Sequence, residues 1–208
     1  MVRTQIEARG VADPRVLEAM RSVPRHLFVP ENVRPYAYAD HPLAIGYRQT
    51  ISQPFIVALM TELLEPQPDD RILEIGTGSG YQAAVLSRLV EEVYSIEIVE
   101  PLAKRAATDL AEHGFDNVTV IAGDGYRGLP DKAPFDAVMV TAAPPYVPQP
   151  LVDQLAVGGR MVIPVGETYQ ELQLLEKTAE GVAVRRVIPV RFVPMTGEVR
   201  RRKPGDRD

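Results

Sequence analysis

The sequence predicts an α/β protein: a doubly wound, mostly parallel sheet, entered through an N-terminal helical attachment and closed by a C-terminal antiparallel hairpin. Three observations predict it. From residue 66 onward short apolar runs alternate with helical stretches, the pattern of strand and crossover helix in an open parallel sheet. The first run, Ile72-Leu73-Glu74-Ile75, breaks into Gly76-Thr77-Gly78-Ser79-Gly80 and resumes at Tyr81, which reads as strand, tight glycine loop and helix. The last two apolar runs have only 178–181 between them, so they pair antiparallel at the sheet edge.

Residues 1–65 form the attachment. Asp13-Pro14 is a cap and first-turn pair that opens a short helix through Met20. Residues 23–47 are loop-rich, because Pro24, Pro30, Pro35, Pro42 and Gly46 interrupt every period, yet Leu27, Phe28, Val29, Tyr36, Tyr38 and Leu43 give the segment material to pack. Structured loops of that length usually serve as lids or binding surfaces. An amphipathic helix follows over 54–64, with Ile56, Leu59, Met60, Leu63 and Leu64 on one face and Ser52 where an N-cap belongs. After a polar turn, strands are expected at 71–75, 93–98, 118–122, 135–141 and 160–165, and helices at 81–89, 101–113 (stopped by Gly114) and 150–155. The hairpin strands are 171–177 and 182–193. This makes one domain, 1–199, with its α/β core at 66–199; residues 200–208, carrying Arg201, Arg202 and Lys203, are expected to form a basic flexible tail.

Bulk properties exclude several function classes. A chain of 208 residues, 45% of them hydrophobic, builds one substantial core, and two full domains would be tight. A net charge of −5 supplies no positive field for nucleic acid or an anionic membrane. The absence of cysteine removes disulfides, thiolate catalysis and sulfur-ligated metal, and His26, His41 and His113 lack metal-ligand spacing, so no bound metal is expected. The first residues contain no apolar signal region and no apolar run approaches the roughly 18 residues of a membrane span. The expectation is a cytoplasmic monomer.

In open α/β sheets, ligands bind beyond the carboxyl ends of the strands where strand order reverses. Gly76 and Gly78 let the loop turn sharply and bring a ligand near the backbone. Glu97 ends the second strand about 20 residues after Gly76, the spacing at which an acidic residue meets ribose hydroxyls. Asp124 and Gly125 follow the third strand, where a carboxylate can accept from an exocyclic amine and a glycine leaves room for a flat ring. Each has a plainer reading, since strand-end carboxylates and Gly-Asp-Gly turns are ordinary. The dinucleotide fingerprint would need glycine at position 81, where the chain has Tyr81.

Glu74 followed by Gly76, Gly78 and Gly80 resembles the S-adenosylmethionine site of the Rossmann-like methyltransferases, with Glu97 and Asp124-Gly125 at that family's ribose and adenine positions. The attachment narrows the likeness. Val23-Pro24-Arg25, Phe28-Val29-Pro30, Ala37-Tyr38 with Asp40, Gln49-Thr50-Ile51-Ser52-Gln53-Pro54 and Pro164-Val165-Gly166 resemble the protein-L-isoaspartate O-methyltransferases over nearly the whole chain. The resemblance implies methyl transfer from S-adenosylmethionine, leaving S-adenosylhomocysteine, to the α-carboxylate of L-isoaspartyl residues in damaged proteins and peptides. It implies Ser52 as the active-site serine, Gln49, Thr50, Ile51 and Ser79 at the donor, and Thr196 closing over the pocket. One departure is Arg48, where the family often has glycine. A small-molecule methyltransferase of the same fold, a nicotinamide-dependent dehydrogenase and a non-catalytic adenosine-binding module are the competing readings; the attachment, Tyr81 and Ser52 respectively weigh against them.

Overall fold

The structure is a computed structural model that describes residues 1–202. The attachment contributes α1 (Pro14–Ser22), a two-stranded antiparallel hairpin of β1 (Leu43–Gly46) and β2 (Gln49–Ile51), and α2 (Pro54–Leu64). The core then runs β3 (Arg71–Ile75), α3 (Tyr81–Ser87), β4 (Glu92–Glu97), α4 (Glu100–Glu112), β5 (Val118–Ala122), β6 (Phe135–Val140), α5 (Gln149–Asp153), β7 (Leu155–Val165), β8 (Gln170–Thr178) and β9 (Gly181–Val190). Seven strands form one sheet in the order β5-β4-β3-β6-β7-β8-β9, parallel from β5 to β7 and antiparallel at β8 and β9. The chain leaves β3 toward β4 and β5, then returns to β6 on the other side of β3. That reversal opens a crevice at the carboxyl end of β3.

Side-chain alternation along β3 divides the interior. Ile72 packs in the layer formed by the attachment, α2, α3 and α4, whereas Leu73 and Ile75 pack in the layer with α5, Tyr126, Met195 and Val199. Glu74 shares the parity of Ile72, so its carboxyl is fully buried on the first side.

Three expectations are corrected. Helix α2 buries Val57, Ala58, Met60, Thr61 and Leu64 most deeply, while Ile56, Leu59 and Leu63 of the expected face are only partly covered. The helix is apolar almost all round because it lies between the sheet and the attachment. Strand β7 begins at Leu155 rather than 160 and runs through Gly158-Gly159, with an irregularity in its pairing between Phe135 and Ala137 of β6; the glycines mark a bulge rather than a strand end. At the chain end Arg200 donates to Met195 O (2.8 Å) and pairs with Glu167, and Arg202 pairs with Glu198 at 2.6 Å. Those residues are tied down, and the remainder of the expected tail, 203–208, lies outside the described residues.

Candidate active site

A cleft opens at the β3 crevice, where the strand order reverses. Gln49, Thr50, Ile51 and Ser52 line it from the attachment; Gly76, Gly78, Ser79 and Glu97 from the core; Gly125 from the third crossover; and Thr196 from the C-terminal segment. These ten expected site residues, spread over nearly 150 positions of chain, come together.

The core wall is built by main chain. Gly76 (φ +100°), Gly78 (φ +55°) and Gly80 (φ +86°) all lie in the left-handed region, which only glycine adopts freely. Gly76 N donates to Ile96 O (2.8 Å), tying the loop to the end of β4, and the Thr141 hydroxyl, just past β6, lies 2.5 Å from Gly76 O. Glu97 is held by two backbone donors, Gly78 N at 2.8 Å and Val99 N at 2.9 Å. A carboxylate has about four lone-pair sites, so two accepted bonds leave capacity for ribose hydroxyls. At Gly125 a Cβ would sit 2.5 Å from Ile75 Cγ2, so any larger residue would displace the floor of the cleft. Apolar Ile75, Ile96 and Ile98 around that floor suit a flat ring. The residues present thus fit an adenosine-bearing donor.

Three expected donor residues do not line the cleft. Glu74 lies beneath the loop, where Ser95 Oγ, its cross-strand neighbour on β4, donates to Oε2 and in turn lies 2.6 Å from Thr77 Oγ1. Burial, reinforced by the Glu97 charge and only partly offset by the Ser95 bond, pushes the Glu74 carboxyl up to about 8. It is a neutral support for the loop. Gly80 is the N-cap of α3, and a Cβ there would crowd Leu110 of α4 at 3.3 Å, so it serves helix packing. Asp124 accepts from Tyr126 N (3.0 Å) and Glu198 N (2.6 Å), which anchors the C-terminal segment beside the cleft.

The attachment wall is built differently. Ser52 does not cap α2: the N-cap is Gln53, without a side-chain bond, and Phe55 N is reached by Asp40 Oδ1 at 3.3 Å. Asp40 Oδ2 also accepts from Gln53 Nε2 and Arg9 Nη1, each at 2.9 Å. Capping from a distant carboxylate leaves the Ser52 hydroxyl without a hydrogen bond among the described residues. The β1–β2 turn places Tyr47 (φ +51°) and Arg48 (φ +60°) in the left-handed region, so Arg48 adopts a conformation a glycine would take without strain. Thr77, Thr141, Ala142 and Val193–Met195 also line the cleft and were not anticipated. Thr141 follows β6, and the strand-end rule would have found it had the strand order been known. The C-terminal segment carries no comparable signal; it arrives because Ala143 N donates to Val193 O and Met195 N to Ala143 O, each at 2.8 Å.

Comparison with known proteins shows the family. The family model described as protein-L-isoaspartate(D-aspartate) O-methyltransferase matches residues 1–200. A protein-L-isoaspartate O-methyltransferase of Synechococcus sp. (strain JA-2-3B'a(2-13)) is 57% identical over 203 residues, 94% of this chain and 83% of that one. Protein-L-isoaspartate O-methyltransferase 1 of Syntrophobacter fumaroxidans is 57% identical over 95% of this chain and 93% of its own. Among solved structures, a Plasmodium falciparum protein of that name in complex with S-adenosyl-L-homocysteine superposes with a TM-score of 0.81 at 26% identity, covering 94% of this chain and 96% of the other. The chain belongs to the protein-L-isoaspartate(D-aspartate) O-methyltransferase family.

Proposed function

We propose that this cleft transfers a methyl group from S-adenosylmethionine to the α-carboxylate of L-isoaspartyl residues in damaged proteins and peptides, leaving S-adenosylhomocysteine. The observation that carries the reading is Ser52: a hydroxyl with no hydrogen bond among the described residues, sharing one cleft with the glycine loop and Glu97. Bound there, S-adenosylmethionine supplies an electrophilic methyl group on a sulfonium. Glu97 holds the ribose hydroxyls, Gly76, Gly78 and Ser79 border the donor, Gly125 underlies its ring, Gln49, Thr50 and Ile51 line its methyl end, and Thr196 covers it from the rim. Ser52 donates to the acceptor carboxylate and orients one oxygen toward the methyl group. An α-carboxyl with an ordinary pKa near 3.5 is already ionised at neutral pH, so no general base is required and alignment is the main task. The resulting ester is attacked by the following peptide nitrogen, methanol leaves, and hydrolysis of the succinimide returns part of the material to aspartate.

The same reading makes the protein a cytoplasmic monomer that engages neither nucleic acid nor membrane; a net charge of −5 supplies no positive field for either of those polyanionic partners. The test uses labelled S-adenosylmethionine with two peptides that differ only in aspartyl or isoaspartyl linkage. Base-labile label on the isoaspartyl peptide alone is expected; label on neither, or equally on both, would sink the reading.

A further inference from the structure

Val23-Pro24-Arg25 has no part in the chemistry above, yet Arg25 is the largest fully buried side chain among the described residues. Buried guanidinium groups normally sit against a carboxylate, because an unpaired charge inside a protein is expensive. Arg25 forms no ion pair among the described residues. Instead Nε donates to Ala37 O and Nη2 to Ser52 O, both at 2.7 Å, and the guanidinium carbon lies 4.9 Å from the centre of the Tyr81 ring. Nη1 is buried with no partner. The titratable groups facing it are Tyr38 and Asp40 of the attachment and Tyr81 of α3. Asp40 is committed to Arg9, Gln53 and the start of α2. Desolvation brings the guanidinium down to about 10, so it keeps its charge at neutral pH.

We propose that Arg25 is a positioning residue for the acceptor: it fixes the Ser52 carbonyl and sets an unneutralised positive charge behind the point where the acceptor carboxylate meets the Ser52 hydroxyl. Bridging two carbonyls needs only neutral donors, so the structural task alone does not account for a buried cation. A charge in a poorly polarisable interior acts over several ångströms, and the anion it acts on is the acceptor. As methyl transfer neutralises that carboxylate, the cation favours the bound acceptor at least as much as the transition state. Its charge is therefore felt in the acceptor KM rather than in kcat.

The proposal rests on the isoaspartyl reading, and wild-type labelling of the isoaspartyl peptide establishes that reading before any variant is compared. Arg25→Met keeps the apolar stem and removes the charge. It is expected to raise the acceptor KM by roughly tenfold or more, with the dissociation constant of S-adenosylhomocysteine, measured by calorimetry, within about twofold of wild type. Arg25→Lys replaces a permanent charge with a titratable one that burial depresses. Its acceptor KM, divided by the wild-type value at each pH, should be near one at pH 6 and climb toward pH 9 as the ammonium loses its proton. An unchanged KM in Arg25→Met, parallel loss of donor and acceptor binding, or a pH-independent ratio in Arg25→Lys overturns the proposal. If neither variant folds, as judged by circular dichroism, Arg25 is a structural residue and the proposal is equally overturned.

Discussion

The two walls of the cleft are made in different ways. The core wall is made of backbone: Gly76 and Gly78 at positive φ, a strand-end carboxylate fixed by two main-chain N–H groups, and a glycine floor. The attachment wall is made by side chains that reach across the chain. Arg25 bonds Ser52 O from 27 residues away, Asp40 reaches Gln53 and Phe55, and Arg105 Nη2 of α4 holds Ile45 O of β1 at 2.9 Å across 60 residues. A ligand common to a large fold class can be held by a local backbone motif. Orienting one acceptor calls for a serine freed from capping its own helix, and long-range contacts provide that.

Substitutions that load one wall and spare the other test this division. Ser52→Ala should have the largest effect, lowering kcat on the order of 10²-fold, the scale for misaligning a reacting group by about an ångström, with S-adenosylhomocysteine affinity nearly unchanged. A large loss of donor binding with normal turnover would assign Ser52 to the other wall. Glu97→Ala should do the converse, weakening donor binding by about 1–3 kcal/mol, roughly 5- to 150-fold in dissociation constant, as charge-assisted bonds are lost. Unaltered calorimetric affinity would remove Glu97 from the donor site. Asp40→Ala should cost about 1 kcal/mol of stability in urea unfolding through loss of the long-range cap, and lower kcat while sparing donor affinity; loss of donor binding as well would mean that the walls are coupled.

The smallest expected effect concerns the proton beneath the loop. The folded-state pKa of Glu74, about 8, lies above the ordinary 4.5 of an unfolded glutamate. Between those values the folded state holds a proton that the unfolded state has released, so this group's contribution to stability is full below about pH 4.5 and declines as pH rises to about 8. Glu74→Gln should flatten the stability profile across that window relative to wild type. Parallel profiles would show that Glu74 is ionised in the fold.

Much of the fold could be read in advance because its signals are periodic and local. Strands at 71–75 and 118–122 coincide with β3 and β5, and α1 opens at Pro14 with Asp13 accepting from Arg15 N at 2.8 Å, as the cap pattern implies. The harder positions share a cause: one residue type serves two purposes. Gly158-Gly159 looks like the punctuation between elements but sits inside β7, where pairing with β6 continues on both sides. Asp124 has the chemistry to meet an adenine, and folding also gives it Glu198 N, a partner 74 residues away. Ser52 sits where a cap belongs, and only a carboxylate folded in from Asp40 relieves it of that duty.

By itself the sequence determined the ligand class and the sheet that carries it, since left-handed glycines, strand parity and strand-end carboxylates act over a few residues and leave a direct mark in the order of amino acids. Only the tertiary structure decided which polar groups remain available. A hydrogen-bond donor or acceptor is used up by whichever partner folding brings within 3 Å or so, and for Glu74, Asp124, Arg25 and Ser52 that outcome depended on residues 12 to 74 positions away.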